Sequence, residues 1–394
     1  MNHTLKILLT ALSASMLFFL FIMSAFMFIF TSTNSGIYSL LLFIIILSVE
    51  ALIVAALWGF IKKKAFLIPV CSVLFACAAV WGGIAGYNLY LDSIPTVSEG
   101  SYLLSKYAPY AENTKAVTLN EQSDLLLTDN LPVMDGATAL YPIYSSFAKA
   151  VYPKEAIDNE VDIGKYESVL KCTTTTYAYK SIVNGKTDII FAAPPSDKQK
   201  EYAIESGVEL VYTPIGKEAF VFFVNAENPI DNITVDEIKK IYSGQITDWE
   251  DLGVDELGNI KAFQRDAGSG SQSTLEKLMA GEKLMTPPKE DVIGGMGEII
   301  EKTADYKNYK NAIGYSFRFY STEMVKNNQI KLLSVNGVEP TLENIENGTY
   351  PLASYFYAVT RKDADENTQK LLKWVQGEQG QEIIELIGYT PLGN

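Results

Sequence analysis

The stretch Phe263–Met279, FQRDAGSGSQSTLEKLM, combines a short β-type start, one arginine, a glycine-serine turn and a helical run. A strand, a glycine-rich turn and a helix in this order are typical of the carboxyl edge of an α/β sheet, where helix N–H groups point at a ligand. The turn at 268–271 allows close approach of the backbone and adds two hydroxyls, and Arg265 adds a planar fork of donors. These features predict an oxyanion site, although a plain turn with Arg265 paired to a surface carboxylate fits the same pattern.

Short β-type runs alternate with amphipathic helical runs on both sides of this stretch. LPVMDG, DIIFAA, VELVYTP and EAFVFFVN read as strands, whereas YAYKSIVNG, SDKQKEYAIES and TVDEIKKIYSG read as helices. The last helix begins with a capping box at Thr234 and Glu237, and we expect the helix after the arginine turn to begin near Ser271, with Ser273 and Glu276 as its box. The alternation predicts an α/β fold with mainly parallel sheets covered by helices.

Two further places have the form of a strand followed by a helix start. In VMDGATALYP a strand ends at Asp135, and Thr138 stands like an N-cap before a helix with Pro142 in its first turn. In CTTTTYAYKS four threonines place hydroxyls before a helix, although threonines are also common in strands.

Three apolar runs dominate the first ninety residues: Leu5–Phe30, Ile37–Ile61 and Ala65–Tyr90. Each exceeds the roughly 20 residues that cross a bilayer, and the first exceeds a signal-peptide core. Residues 1–91 are therefore predicted to be a membrane region with three transmembrane helices. Lys6 and the lysines at 62–64 flank the spans on one side, which places the N-terminus in the cytoplasm and the C-terminal domain outside.

Two residues in the spans leave alternatives open. Glu50 lies within the second span, where an ionisable group suggests function, but no second charge in any span forms a relay with it, so a protonated or interface-facing carboxyl is the simpler reading. The run before Cys77 has some features of a lipoprotein signal, but Phe75 is bulky for such a signal and the residues after Cys77 stay apolar, which favours a transmembrane cysteine.

Composition excludes several functions. The chain has a net charge of −14, and because the first 91 residues carry a net charge of +3, the remainder carries −17, which makes nucleic acid an improbable partner. His3 is the only histidine and Cys172 the only cysteine after the membrane region. A Ser-His-Asp or Cys-His enzyme is therefore disfavoured, and no metal or cofactor is predicted.

From about Leu131 to the C-terminus the chain resembles the substrate-binding component of the bacterial phosphate ABC importer, a type II periplasmic-binding-protein-like family. The resemblance rests on DGATALYP, IKKIYSGQITDWEDLG, RDAGSGSQSTLEKL, NAIGYSFRFY and GEQGQEIIELIGYTPL, in the family's order. It implies a two-lobed α/β domain with a hinge that closes on phosphate or a related oxyanion without a metal. The implied domains are a stalk at 92–130 and a binding domain at 131–394, with lobe 1 at about 131–216 and 355–394 and lobe 2 at about 217–354.

The resemblance also implies the ligand-binding residues. Lobe 1 would supply the hydroxyl of Thr138, the N–H of Ala139 and the hydroxyl of Thr175. Lobe 2 would supply the remaining four, Arg265, Ser269, Gly270 and Ser271. Ala193 stands where the best-known phosphate binders have an aspartate that accepts the proton of hydrogen phosphate, so the preference for phosphate over sulfate is left open.

Two functions fit these observations. The first is a membrane-tethered, extracytoplasmic receptor that delivers phosphate or a similar oxyanion to the permease subunits of an ABC importer. The second is an oxyanion sensor anchored in the bilayer that signals inward without a transport role. An enzyme such as a phosphatase is a weaker third reading, because the soluble part contains no histidine and no dense carboxylate cluster with metal-ligand spacing.

Overall fold

The structure is a computed structural model that describes residues 2–31, 35–60, 64–93, 101–157, 168–288, 291–294 and 310–393. The chain divides into two units, Met1–Pro95 and Thr96–Asn394.

The first unit consists of three long apolar helices, α1 (His3–Thr31), α2 (Ser35–Trp58) and α3 (Lys64–Ser93). Each contains a segment of 20–23 residues that is long and apolar enough to cross a membrane. These helices correspond to the three predicted spans. Lys62 and Lys63, on which the orientation partly depends, lie outside the described residues.

Glu50 and the two cysteines of this unit differ in their contacts and in their burial. The Ser13 hydroxyl on α1 donates a hydrogen bond of 3.0 Å to Oε1 of Glu50 on α2. This contact agrees with the simpler reading of Glu50, a carboxyl that packs within the bundle. Cys77 is buried in the middle of α3, whereas Cys71 on the same helix is exposed.

The second unit is built on a seven-stranded mixed sheet with the order β1-β2-β11-β3-β8-β5, in which β9 also pairs with β3. Its strands are β1 (Met134–Gly136), β2 (Ile189–Ala192), β3 (Leu210–Asn225), β5 (Lys261–Ala262), β8 (Ala312–Phe317), β9 (Ile330–Leu332) and β11 (Ala353–Arg361). Two small parallel pairs lie beside it, β4 (Asn232–Ile233) with β10 (Ser334–Val335) and β6 (Gln264–Arg265) with β7 (Val292–Ile293).

Helices cover this sheet and join its strands. They are α4 (Ser101–Ser105), α5 (Tyr141–Val151), α6 (Thr174–Val183), α7 (Asp197–Glu205), α8 (Val235–Ser243), α9 (Gly270–Leu278), α10 (Leu342–Glu346), α11 (Glu366–Gln376) and α12 (Glu378–Ile387). A 3₁₀ turn at Thr138–Leu140 precedes α5. The predicted capping box at the start of α8 is confirmed, because Thr234 and Glu237 each accept a hydrogen bond from the other's backbone N–H.

The long strand β3 connects two lobes. Its residues up to Ala219 pair with β11, and its residues from Phe220 onward pair with β8. The first lobe contains β1, β2 and β11 with the first part of β3, and the second contains β5, β8 and β9 with the last part. All three strands that pair with β3, namely β8, β9 and β11, run antiparallel to it. The sheet is therefore less parallel than the sequence predicts, because β3 and β11 are crossing strands and not units joined by helices.

The two strands predicted at VELVYTP and EAFVFFVN form this single strand. Pro214 ends the first of these runs, and Gly216 lies between the two. The register with β11 shifts at this point, so that Gly216 faces Phe356 while Pro214 faces Tyr357. A bulge of this kind tolerates the missing N–H of Pro214 and lets the strand continue into the second lobe.

The segment expected to be a stalk differs from that prediction in its described part, residues 101–130. Leu104 and Ala108 are fully buried, and Leu103, Leu119 and Leu127 belong to the main core of the second unit. The N–H of Leu127 also bonds to the carbonyl of Val151 at the end of α5. The segment packs against the binding domain because its apolar side chains gain more from burial than an extended linker offers.

Candidate functional site

A cleft of about 370 Å³ lies where the starts of α6 and α9, the 3₁₀ turn and β6 meet. It contains residues of both lobes. Its lining consists of Ala137, Thr138, Thr174, Thr175, Thr176, Tyr177, Arg265, Asp266, Ala267, Ser269, Gly270, Gly294 and Phe317.

The buried carboxylate of Asp135 organises the wall that the first lobe contributes. It accepts hydrogen bonds from the N–H of Gly136 (2.8 Å), the N–H of Thr173 (2.8 Å) and the hydroxyl of Thr173 (2.6 Å). The end of β1 is thereby tied to the start of α6. Burial raises the pKa of Asp135, although the bonds from Thr173 and Gly136 and the charge of Lys171 oppose this shift. Asp135 supports the cleft without belonging to its lining.

Helix α6 begins directly at the cleft. Thr174 has a φ of +70°, a conformation that is strained for a β-branched residue, and such strain is often found at ligand sites. The N-cap residue Thr173 makes no side-chain cap to α6. The first turn of α6, residues 174–177, lines the cleft with three threonine hydroxyls, one tyrosine and helix N–H groups that no side chain caps.

Arg265 is held in the second wall through its backbone. Its N–H donates to Oε1 of Gln272 (3.0 Å) and to the hydroxyl of Tyr315 (2.9 Å). Tyr315 is itself fully buried between the rings of Phe220 and Tyr242. Arg265 is 8% exposed and lines the cleft, and the core behind it anchors its backbone.

Helix α9 begins at Gly270, next to the predicted start near Ser271. Ser269 is its N-cap and accepts a bond of 3.3 Å from the N–H of Gln272, so the predicted start near Ser271 is confirmed to within one residue, whereas the predicted capping box at Ser273 and Glu276 is wrong. The extended backbone of Ser269 makes it the better cap. The hydroxyl of Ser271 is fully buried and has no hydrogen-bond partner within the described parts of the chain.

The two walls touch each other. Gln199 on α7 donates from Nε2 to the carbonyl of Gly268 (3.2 Å), and this bond joins the lobes. A Cβ added to Gly270 would lie 3.1 Å from Oγ1 of Thr175 and 3.6 Å from Cβ of Ala193. Glycine at position 270 therefore allows the start of α9 to approach the start of α6. The lobes are in contact beside the cleft.

The structure brings five of the seven predicted ligand residues to the cleft, namely Thr138, Thr175, Arg265, Ser269 and Gly270. Ala139 and Ser271 lie nearby but are not part of the lining. Thr138 is not a helix N-cap, because Ala137 precedes the 3₁₀ turn and Thr138 is its first residue.

Some residues at the site were not expected from the sequence. Thr174, Thr176 and Tyr177 flank Thr175 in the same turn, and the run of four threonines was the available signal. Gln199 and Phe317 gave no signal, since both reach the cleft region only through the pairing of distant elements. Cys172 behaves as expected of a buried cysteine, and burial raises the pKa of its thiol to about 12.

Charges are few in the described lining of the cleft. Arg265 is its basic residue and Asp266, which is exposed, its acidic one. Ala193 is buried next to Gly270, so no carboxylate stands at that position. The described chain contains no group of three or more histidine, cysteine, aspartate or glutamate side chains arranged to hold a metal. The arrangement suits a small anion bound by hydroxyls, helix N–H groups and one guanidinium.

The sequence of this chain matches the PBP superfamily domain over residues 129–379. The chain belongs to this superfamily. The matched region begins just before β1 and ends in α12, so it contains both lobes and every residue of the cleft.

Phosphate-binding proteins are among the relatives that this chain is similar to in sequence. The phosphate-binding protein PstS of Borreliella burgdorferi is 27% identical over 237 residues, which are 57% of this chain and 82% of the relative. The PstS protein of Bacillus subtilis is 29% identical over 171 residues, 43% of this chain and 53% of that protein. A crystal structure from Clostridium perfringens, of a protein assigned as a phosphate ABC transporter substrate-binding protein, contains bound phosphate. It superposes with a TM-score of 0.51 at 22% identity and covers 66% of this chain and 98% of that one, which shows the shared fold.

Proposed function

We propose that this protein is a membrane-tethered receptor that captures phosphate or a related oxyanion outside the cytoplasm for an ABC importer. The observation that carries the proposal is the convergence of two helix starts and one buried arginine on a single cleft between two lobes. The names of the curated relatives support phosphate as the ligand.

The chemistry of the cleft favours an anion over a neutral ligand. The starts of α6 and α9 each place partial positive charge at the cleft, and Arg265 adds a full charge. Thr138, Thr175 and Ser269 supply hydroxyl donors from both lobes. The Ser271 hydroxyl, buried without a partner among the described residues, is one more donor in the first turn of α9. We propose that these four residues, with Arg265 and the N–H groups of Ala139 and Gly270, bind the ligand.

The negative charge of the domain determines which interactions can attract an anion to the cleft. A net charge of −17 after the membrane region repels anions at long range, but this field is screened beyond about 8–10 Å at physiological salt. Binding then depends on short-range donors within the cleft. This favours a site with one fixed cation and several hydrogen-bond donors over a broad basic surface.

The decisive experiment is calorimetry on the full-length protein in detergent, titrated with phosphate, sulfate and nitrate. We expect saturable binding of phosphate at one site per chain and little response to nitrate, which is planar and carries a single charge. If neither phosphate nor sulfate binds, the proposal is wrong.

The proposed topology has a separate test. With the N-terminus in the cytoplasm, three spans place the binding domain outside the cell. Protease added to intact cells should remove the domain, whereas a tag before Lys6 should remain protected. Protection of the domain would refute this orientation without affecting the anion site.

A further inference from the structure

A buried carboxyl, Glu218, lies where β3 passes from one lobe to the other. The next residue, Ala219, is the last to pair with β11, and Phe220 is the first to pair with β8. Oε1 of Glu218 accepts a bond of 2.8 Å from the N–H of Ala219, and Oε2 accepts one of 3.2 Å from the N–H of Phe319, which follows β8. The carboxyl group therefore bonds to the backbone of both lobes at their junction.

Glu218 lines a small cavity that shares two of its lining residues with the anion cleft. Its volume is about 20 Å³, which is enough for roughly one water molecule. Ala137 and Phe317 line both the cavity and the cleft, and Ala193 lies on the cavity side, next to Gly270. Most of the other lining residues are apolar, so a charge on Glu218 and a charge in the cleft are only weakly screened from each other.

The charged and titratable groups around Glu218 come from four elements. Arg318, which follows β8, is the cation whose charge favours the ionised form of Glu218. Tyr389, after α12, is a buried phenol whose pKa is raised well above its usual value by burial and by the charge of Glu218. On β11 the paired residue is Ser354, followed by the half-exposed Tyr355. On β3 itself, Lys217 donates from its ammonium to the carbonyl of Glu346.

Burial has the largest effect on the pKa of this carboxyl. It raises the pKa of Glu218 to about 7, although the N–H groups of Ala219 and Phe319 and the charge of Arg318 favour the ionised form. Glu218 therefore exchanges its proton near neutral pH, where a small change in local potential shifts its ionisation.

We propose that Glu218 couples anion capture to proton uptake. When an anion enters the cleft, its negative charge disfavours the ionised carboxylate, and Glu218 takes a proton from the solvent. When the anion leaves, the proton returns to the solvent. Because this coupling is reciprocal, protonation of Glu218 strengthens anion binding, and affinity falls as the pH rises through neutrality. The inference rests on the proposed function of the cleft.

The test compares wild-type protein with Glu218→Gln, which mimics the protonated carboxyl, using inorganic phosphate as the probe. Full-length protein in detergent is titrated by calorimetry at pH 5.5 and at pH 8.5. Phosphate itself titrates in this range, but equally for both proteins, so the ratio of their Kd values reports Glu218. We expect a ratio near one at pH 5.5 and roughly tenfold tighter binding by Glu218→Gln at pH 8.5.

Proton uptake is measured directly at pH 7 in buffers that differ in ionisation enthalpy. Wild-type protein should take up more protons per bound phosphate than Glu218→Gln. Glu276→Gln is the matched control, since Glu276 on α9 is another carboxyl whose pKa is raised by burial and it does not belong to the lining of the cleft. A Kd ratio that is the same at both pH values would overturn the inference. Proton uptake that is lost in Glu276→Gln and kept in Glu218→Gln would overturn it as well.

If Glu218→Gln does not fold, Arg318→Gln gives an independent answer. Removing the charge of Arg318 raises the pKa of Glu218 further. Phosphate affinity should therefore decline at a higher pH in Arg318→Gln than in the wild-type protein. An unchanged midpoint would contradict the coupling. Absence of phosphate binding by the wild-type protein would instead refute the proposed function, and the inference with it.

Discussion

The two walls of the cleft differ in the charge that they present and in the groups that hold them in place. The first wall, at the start of α6, carries hydroxyls and no charged group in its lining, and a buried carboxylate, Asp135, holds it from behind. The second wall, at the start of α9, carries Arg265 and a glycine turn, and it is held by the neutral side chains of Gln272 and Tyr315. The charge in contact with the cleft is thus concentrated in one lobe.

This difference indicates how an acidic domain can bind an anion selectively when its two lobes close around it. The second wall supplies attraction over a few ångströms, whereas hydroxyls of the first wall contribute only when the lobes meet and the geometry is right. The second lobe should therefore dominate affinity, and the first lobe should dominate discrimination among anions of equal charge.

The strongest test of this division is Arg265→Ala. Loss of a charge-assisted, bidentate donor should weaken phosphate binding at least tenfold, or by about 1.5–3 kcal/mol. The backbone bonds from Arg265 to Gln272 and Tyr315 do not involve its side chain, so the fold should survive. Calorimetry gives the affinity and circular dichroism the fold.

Arg361→Ala is the matched control for this change. Arg361 is a partly exposed arginine at the end of β11, where it pairs with Asp363, and it does not belong to the cleft. Its loss should leave phosphate affinity unchanged. Equal effects of the two variants would mean that the arginine acts through net charge and not through contact.

The next largest effect is expected from Ala193→Asp. A carboxylate at this buried position beside Gly270 would accept the proton of hydrogen phosphate but repel sulfate, which has no proton to give. We expect the affinity ratio of phosphate to sulfate to rise by roughly tenfold, or about 1.4 kcal/mol. Competition of sulfate against bound phosphate measures this ratio.

Asp266→Asn is the companion experiment, because Asp266 is the acidic residue in the described lining of the cleft. If this variant alone abolishes an existing preference of the wild-type protein for phosphate, Asp266 is the proton acceptor. The idea that the site has no acceptor carboxylate would then be wrong.

Smaller effects are expected from single hydroxyls. Thr175→Ala and Ser269→Ala each remove one neutral donor, one from each wall, and each should weaken binding by about 1 kcal/mol, or roughly fivefold. Ser269→Ala should also lower the free energy of unfolding, since it removes the cap of α9. Thr175→Ser keeps the hydroxyl and should bind nearly as wild type. A loss in Thr175→Ser equal to that in Thr175→Ala would mean that the methyl group matters and not the hydroxyl.

The sequence was informative about the second wall and less so about the first. Arg265, Ser269 and Gly270 lie within six residues of each other, so a local pattern was sufficient to group them. The first wall depends on Asp135 reaching Thr173 across 38 residues, and the contact with Gln199 spans 69. No local periodicity encodes such distances.

Local sequence patterns also predicted only part of the fold. The capping box of Thr234 with Glu237 was predicted correctly, whereas the same pattern at Ser273 with Glu276 was not a capping box. The continuity of β3 through Pro214 was not predicted, because it depends on a bulge against β11, which is far away in sequence. Glu218 was not singled out for a similar reason, since its burial arises only where both lobes and the C-terminal segment meet.

The smallest expected effect concerns the bond between the walls. Gln199→Ala removes the donor to the carbonyl of Gly268, a single neutral hydrogen bond worth about 0.5–1.5 kcal/mol. The same variant also breaks the capping box that Gln199 forms with Ser196 at the start of α7, so Ser196→Ala is the control that weakens the cap and keeps the bond between the lobes. If the bond stabilises the closed arrangement, Gln199→Ala should lower phosphate affinity a few-fold and expand the unliganded protein in small-angle scattering, whereas Ser196→Ala should change neither. Matching behaviour of the two variants would show that α7 stability, and not lobe contact, is what Gln199 provides.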